Sequence, residues 1–325
     1  MFAYIIRRVA YAIPILIGVN VLTFYLFFVV NSPDDMARLH LGMKHVTAEA
    51  IEKWKVDHGY DKPLLLNSTA DGVSQVTDTI FFEKSVKLFA FDFGFSDDGR
   101  DISYDISQRM LPSLAIAIPA LLVGLLANIS FAMLMAFFRG TYVDVSGVIL
   151  CVILMSISGM FYIIGGQFLL AKLFRLMPIS GYAGGLDGIK FIILPVLIGV
   201  ISGIGSGSRW YRTFFLEEAG KDFVRTARAK GLSESLVMFR HVLRNAMIPI
   251  VTGVVVVLPL LFMGSLLTES FFSIPGLGSY TIDAINKQDF AVVRVMVFLG
   301  SVLYIVGLIL VDITYTIVDP RVRLS

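Results

Sequence analysis

The residue types that most often carry chemistry are few in this chain and poorly spaced for it. Its four histidines, His40, His45, His58 and His241, fall into no H-E-x-x-H or other ligand spacing, so no metal site is expected. Cys151 is the single cysteine, which excludes an internal disulfide framework and a cysteine-rich metal domain. Ala229-Lys230-Gly231 puts its lysine before one glycine rather than after a G-x-x-x-x-G cradle, so the chain should not bind or hydrolyse a nucleotide alone. The glycine- and serine-rich run 203–208 lacks the G-x-S-x-G elbow and reads as a place for close helix packing or as the end of a span. Two acids remain within apolar runs, Glu269 and Asp312, and such residues are functional candidates by default. Both fall near the ends of their runs, where a charge is cheap. This favours interface anchoring over proton coupling for Glu269. For Asp312 it favours a bond to a partner helix or loop amide over transport chemistry. A proton relay or a membrane-embedded enzyme needs several such groups, so no catalytic residue is assigned.

The elements around these residues are set by composition. The chain has 325 residues, 56% hydrophobic and 16% charged, with a formal net charge of +2. A soluble protein carries about 25% charged residues. The excess of apolar residues excludes disorder, and the weak charge excludes a nucleic-acid binder driven by phosphate contacts. Charge-free intervals run over 9–33, 110–138, 145–171, 191–208, 245–268 and 295–311. A bilayer core of ~30 Å needs ~17–25 apolar residues in helix, because each backbone group must find its partner within its own segment. A transmembrane barrel would show ~10-residue alternating segments instead. Six membrane-spanning helices are predicted, in an all-α multi-pass fold. The first follows Arg7 and Arg8 but is too long for a signal-peptide core and lacks a small-residue cleavage site, so it is read as retained.

Placing the N-terminus inside puts Arg7, Arg8, Arg139, the basic residues of 209–244, Arg321 and Arg323 on the cytoplasmic side. Lys172, Arg175, Lys190, Lys287 and Arg294 fall on the other side. That bias follows the positive-inside rule and predicts two cytoplasmic termini. The expected division is 1–108, a first helix with an extracytoplasmic loop; 109–318, a five-helix transmembrane domain; and 319–325, a cytoplasmic tail. Prolines at 14, 112, 119, 195, 249 and 259 are tolerated in membrane helices and suit a bundle that opens and closes.

Two soluble pieces stand out. Within 34–109, Thr47 is a plausible N-cap with Glu49 in the first turn, Ile51 and Trp54 share a side, and Gly59 with Pro63 ends the helix. Residues 64–79 read as loop, and the whole piece as a solvated cap rather than a substrate site. Within 209–244, residues 221–230 read as a short amphipathic helix with Phe223, Val224 and Ala227 on one face and Arg225 and Arg228 elsewhere. Gly231 supplies a left-handed stop, and Ser233 caps a helix that can run through Pro249 into the fifth span. A short, glycine-stopped helix on the cytoplasmic surface suits docking. On residue pattern alone, a basic segment drawn to anionic membrane lipid is an equal reading.

The string Asp222-Phe223-Val224-Arg225-Thr226-Ala227-Arg228-Ala229-Lys230-Gly231-Leu232-Ser233-Glu234, with His241-Val242-Leu243-Arg244-Asn245-Ala246 and Pro249 after it, resembles the permease subunits of bacterial ABC importers for dipeptides and oligopeptides. Arg225, Thr226 and Ala227 stand at the E-A-A places of their E-A-A-x-x-x-G coupling signature, two of the three departing from it, and Gly231 is its glycine. The resemblance extends to Ile6-Arg7-Arg8, Gly59-Tyr60-Asp61-Lys62-Pro63-Leu64, Asp92-Phe93-Gly94-Phe95-Ser96, Pro275-Gly276-Leu277-Gly278, Asp289-Phe290 and Asp319-Pro320-Arg321-Val322-Arg323. Ser156-Ile157-Ser158-Gly159 departs where relatives often place a proline.

The resemblance implies a type I ABC importer permease fold in the bacterial inner membrane. Its implied partners are a second homologous permease, two ABC ATPase subunits, an extracytoplasmic peptide-binding protein and membrane lipid, with no nucleic acid. It implies no cofactor in this chain; ATP and Mg2+ belong to the partner subunits. Residues 222–231, namely Asp222, Phe223, Arg225, Thr226, Ala227, Arg228, Lys230 and Gly231, would couple to an ATPase. Phe223 and Ala227 would form an apolar patch for its cleft, while Arg225, Arg228 and Lys230 face polar groups. Pro275, Gly276 and Gly278 form either an outer gate or, the favoured reading, a tight turn that requires glycine; Asp283 and Asp289 read as ordinary loop acids. The competing class, an ATP-independent secondary transporter or channel, should show an inverted repeat with paired broken helices, and no corresponding halves are found.

Overall fold

The computed structural model describes residues 2–42, 46–68 and 70–318. The terminal string Asp319–Arg323, with the rest of the expected tail, and His45 lie outside these. Helix dominates: α1 (Phe2–Phe24), α2 (Pro33–Leu41), α3 (Ala48–His58), α4 (Ser74–Thr77), α5 (Ile102–Phe137), α6 (Tyr142–Met155), α7 (Gly159–Gly166), α8 (Ile189–Ala219), α9 (Asp222–Ala229), α10 (Glu234–Val237), α11 (Leu243–Val257), α12 (Leu266–Phe271), α13 (Leu277–Lys287) and α14 (Phe290–Val318). Among the described residues, five stretches are long and apolar enough to span a bilayer: Ile6–Val30, Ile102–Phe137, Ile189–Ala219, Glu234–Phe271 and Phe290–Thr314. The bent pair Tyr142–Met155 and Gly159–Leu173 makes a sixth. In each of the five, only 22–28% of the most apolar window is buried within the chain. The remaining apolar surface requires lipid or another protein.

The bend is 88°, so the expected continuous span over 145–171 is a broken one. Ser158 takes an extended backbone (φ −62°, ψ 143°) and starts α7 as its N-cap. The Tyr162 hydroxyl donates to the Leu154 carbonyl at 2.8 Å, adding to the weak 3.4 Å bond that this acceptor takes from the Ile157 amide and tying α7 to the end of α6. The first span also ends sooner than expected. Ser32 and Asp35 form a reciprocal capping box, and Pro33 opens α2 instead of closing α1.

The chain divides into two compact units. One runs up to Arg109 and adds Tyr280–Ile309. Its core gathers Phe24, Phe28, Met36, Ala37, Ile51, Trp54, Tyr60 and Ile80. Here α3 forms as expected, with the Thr47 hydroxyl accepting from the Ala50 amide at 3.3 Å and Gly59 stopping the helix at φ 66°. The described residues of 64–79 are irregular apart from the single turn α4.

The other unit comprises Met110–Ser279 and the described residues from Leu310 onward. Helix α8 does not end at the serine- and glycine-rich run but continues through Arg209 and Arg212 to Ala219. Arg212 makes a bidentate pair with Asp144 at 2.8 Å on both arms, and the Gly140 amide adds a bond of 3.0 Å to the same carboxylate. A paired guanidinium can stay in the helix where a lone one would favour its end. The close-packing reading of 203–208 is the one that holds: a Cβ on Gly205 would lie 2.6 Å from the Cys151 carbonyl oxygen, so α6 and α8 touch backbone to backbone there.

Candidate functional site

Helix α9 is an eight-residue rod set between two long helices. Lys221 is its N-cap with an extended backbone, and Asp222 sits in the first turn, where an acid complements the helix dipole. The far end closes as expected: Gly231 takes φ 79°, its amide donates to the Arg228 carbonyl at 2.9 Å, and the Leu232 amide reaches the Ala227 carbonyl at 3.4 Å. Ser233 occupies the N-cap of α10 without a side-chain bond. After α10 the chain passes through a π-helical turn, Met238–Val242, and runs on through Pro249 in α11.

The burial of α9 corrects the expected patch. Val224 is fully buried and Ala227 is 4% exposed. Both pack in one core with Ala132 and Ala136 of α5, Phe215 of α8, and Ala246 and Ile250 of α11. Ala227 therefore faces the chain's own helices and is not available to a cleft. Phe223 is the apolar side chain left outside, at 37% exposure, accompanied by exposed Asp222, Arg225, Thr226, Arg228 and Lys230. Leu236 and Phe239 just beyond are also exposed, and were not expected as surface residues. Two basic residues are already engaged. Arg228 makes a bidentate contact with Glu234 (2.8 and 3.1 Å), and Arg225 lies 3.4 Å from Asp222. The first pair spans the Gly231 turn and ties α9 to α10.

A second constellation surrounds Glu269, which is 1% exposed rather than anchored at an interface. Its carboxylate accepts from the Ser265 amide at 3.1 Å and the Ser279 amide at 3.0 Å. Alongside, the Ser113 hydroxyl accepts from the Leu277 amide at 2.8 Å. Pro275, Gly276 and Gly278 are brought together here. A Cβ on Gly276 would collide with the Glu269 carboxylate, and one on Gly278 would lie 2.6 Å from the Ser265 carbonyl carbon. Neither glycine has a left-handed backbone. They are required for room, not for a turn conformation. Ser113, Glu269 and Thr268 also edge a cavity of about 420 Å3, whose other walls include Ala120, Pro195 and Ser202. Asp289, expected as a loop acid, is 6% exposed and caps α14 by accepting from the Val292 amide at 3.1 Å.

No group of three or more potential metal ligands is assembled among the described residues. The model of the family described as "Binding-protein-dependent transport system inner membrane component" matches residues 128–324, and that of the corresponding N-terminal membrane component matches residues 1–111. The chain is similar to a protein of Brucella abortus (strain 2308) named as a peptide transport system permease, 32% identical over 99% of both chains. It is likewise similar to the glutathione transport system permease protein of Salmonella typhimurium, 31% identical over 99% of both.

Proposed function

This chain belongs to the family of binding-protein-dependent transport system inner membrane components, and from that premise we propose that it is the permease subunit of an ATP-driven importer of short peptides. It forms the pathway with a second, homologous permease. Two ABC ATPase subunits, which hold the ATP and Mg2+, dock on its cytoplasmic face, and an extracytoplasmic binding protein delivers the peptide. Both termini are cytoplasmic, and the segment 34–109 lies outside. The peptide assignment draws on the names of the relatives, and the docking assignment on α9.

The carrying observation is how α9 is mounted. Its inner face, Val224 and Ala227, is packed into three spans at once, while Phe223, Arg225 and Lys230 remain outside. A force applied to the outer face therefore acts on α5, α8 and α11 together. Moving a two-state gate from 1:99 to 99:1 takes ~5.5 kcal/mol of differential binding, and a loosely tethered helix would dissipate that work. The Arg228–Glu234 pair stiffens the turn, and Gly231 fixes where the rod ends.

The span that begins at α10 runs to Phe271, with a break at Gly264 and Ser265, and includes Glu269, so a single span leads from the docking helix toward the loop of Pro275, Gly276 and Gly278. That loop is the outer gate in this reading. The test is Gly231→Val, which puts a β-branched side chain at φ 79° in open space, straining the stop without a clash. The variant should insert normally but recover less ATPase on co-purification and import less peptide. Normal values for both would remove α9 as the coupling element.

A further inference from the structure

In the unit that includes 34–109, a cavity of about 530 Å3 lies among α3, the turn Phe82–Val86, the loop 91–99 and the start of α14. That size falls within the ~300–1,000 Å3 of small-molecule sites. Three of its lining residues are cations, the exposed Lys87 and two set deeper in the wall, Lys84 and Arg294. Arg294 is 3% exposed, and its guanidinium lies 5.3 Å from the Phe28 ring centroid. Its Nε and Nη1 have no hydrogen-bond partner among the described residues. Lys84 is half-buried with its ammonium 5.2 Å above the Tyr60 ring. Burial, and next the charge of Arg294, push the Lys84 pKa below its ordinary value.

The acids nearby are committed elsewhere. Glu83 holds Lys62 at 2.6 Å, Asp97 lies between His58 (3.7 Å) and His40 (3.9 Å), and Asp289 accepts the amides of Asp97 and Val292. Among the described residues, neither Lys84 nor Arg294 has a carboxylate oxygen within 4 Å. Two like charges sharing a low-dielectric wall repel, and Arg294, though it meets the Tyr60 hydroxyl and the nearby charges of Asp289 and Asp97, leaves two buried nitrogens unsatisfied. An anion between them relieves both costs.

We propose that this cavity is a carboxylate-binding site, occupied by the C-terminal carboxylate of a short peptide held between Lys84 and Arg294. The inference rests on the importer reading above, which places the segment 34–109 on the side from which peptide arrives. Asp57 and Asp92 also line the cavity and suit the ammonium end of a zwitterion. Inorganic phosphate would meet the same two cations but not the acids.

The test uses the assembled transporter in lipid nanodiscs without its binding protein, titrated calorimetrically with dialanine, dialanine amide and inorganic phosphate. Dialanine should bind saturably, and the amide at least tenfold more weakly, since a charge-assisted hydrogen bond is lost. Lys84→Gln should weaken dialanine about tenfold with thermal unfolding unchanged, and Lys84→Arg should restore most of it. Equal affinity for acid and amide, an unchanged affinity in Lys84→Gln, or phosphate binding as tightly as dialanine would each overturn the proposal. Dialanine uptake by cells is read separately. Its absence in the wild type strikes the importer reading, whereas normal uptake with no effect of Lys84→Gln on affinity strikes this site alone.

Discussion

Phe223 and Ala227 lie four residues apart on α9, and the structure assigns them opposite fates, which a pair of substitutions can separate. An aromatic side chain buries roughly 150–250 Å2, so the 37% of Phe223 that remains exposed corresponds to about 55–90 Å2. At ~25 cal/mol per Å2, covering it in an ATPase cleft contributes about 1.5–2 kcal/mol, a factor of about 10–30 in affinity. Phe223→Asp should therefore weaken ATPase recruitment by at least that factor while the thermal unfolding of the chain moves little. Ala227→Leu does the reverse. It forces extra methylene groups into a core where Ala227 is 4% exposed against Phe215 and Ala246, at a cost of about 1–3 kcal/mol of stability. The assay is differential scanning fluorimetry on the purified permease, followed by titration of the ATPase onto it. If Ala227→Leu unfolds like the wild type and only its ATPase affinity falls, Ala227 belongs to the docking surface and the mounting of α9 described above is wrong.

Two further outcomes follow from the buried acids. Glu269→Ala leaves the amides of Ser265 and Ser279 without their acceptor, each costing about 1–3 kcal/mol, so limited proteolysis should cut between Phe272 and Gly276 far faster than in the wild type; an unchanged cleavage rate would show that the carboxylate is not what holds this loop. Asp97 has its carboxyl raised above the ordinary range by burial and then by the neighbouring Asp289 charge, with His58 and His40 opposing and Asp98 adding to the rise. For an acid whose folded value exceeds its unfolded one, the contribution is fully present below about pH 3.8 and is lost as pH rises through the raised value. Asp97→Asn should therefore unfold at a higher temperature than the wild type at pH 7, the gap narrowing toward pH 4. A gap that widens on acidification would mean that the two histidines outweigh the burial.

What the sequence disclosed follows from which forces leave a local record. The six spans were legible because a bilayer imposes its demand on each segment separately, and an apolar run is the direct trace of that demand. Its limits are equally physical. Ser156-Ile157-Ser158-Gly159 stood out only by departing from the family's pattern, since hydropathy measures the cost of transfer and not the direction of the chain, and the 88° bend there leaves no trace in it. Helix α8 outran its apolar run because the charge of Arg212 is neutralised by Asp144, sixty-eight positions earlier, just outside the apolar run that begins at Val145. Helix α9 was legible in its period and its Gly231 stop, but not in its orientation. Phe223 pairs with Ala227 at a spacing of four and Val224 pairs with it at three, and both spacings make an apolar stripe on a helix. Only the neighbouring core decides between them.

The glycines of the outer loop make the same point from the other side. Gly276 and Gly278 suggested a turn because glycine's commonest use is a positive φ, yet what the chain needs there is the absence of a Cβ beside Glu269 and Ser265. The requirement comes from the Glu269 carboxylate at Gly276 and from the Ser265 backbone at Gly278, and it moves Glu269 from an expected interface into the interior. A buried acid that accepts two backbone amides is already satisfied, so it is a fastening rather than a carrier of protons. Lys84 and Arg294 are the opposite case, cations at a cavity wall with no carboxylate in contact among the described residues, and their pairing across two hundred positions left no local signal. Where a charge is satisfied internally the chain is holding itself together. Where it is not, the missing partner is the place to look for a ligand.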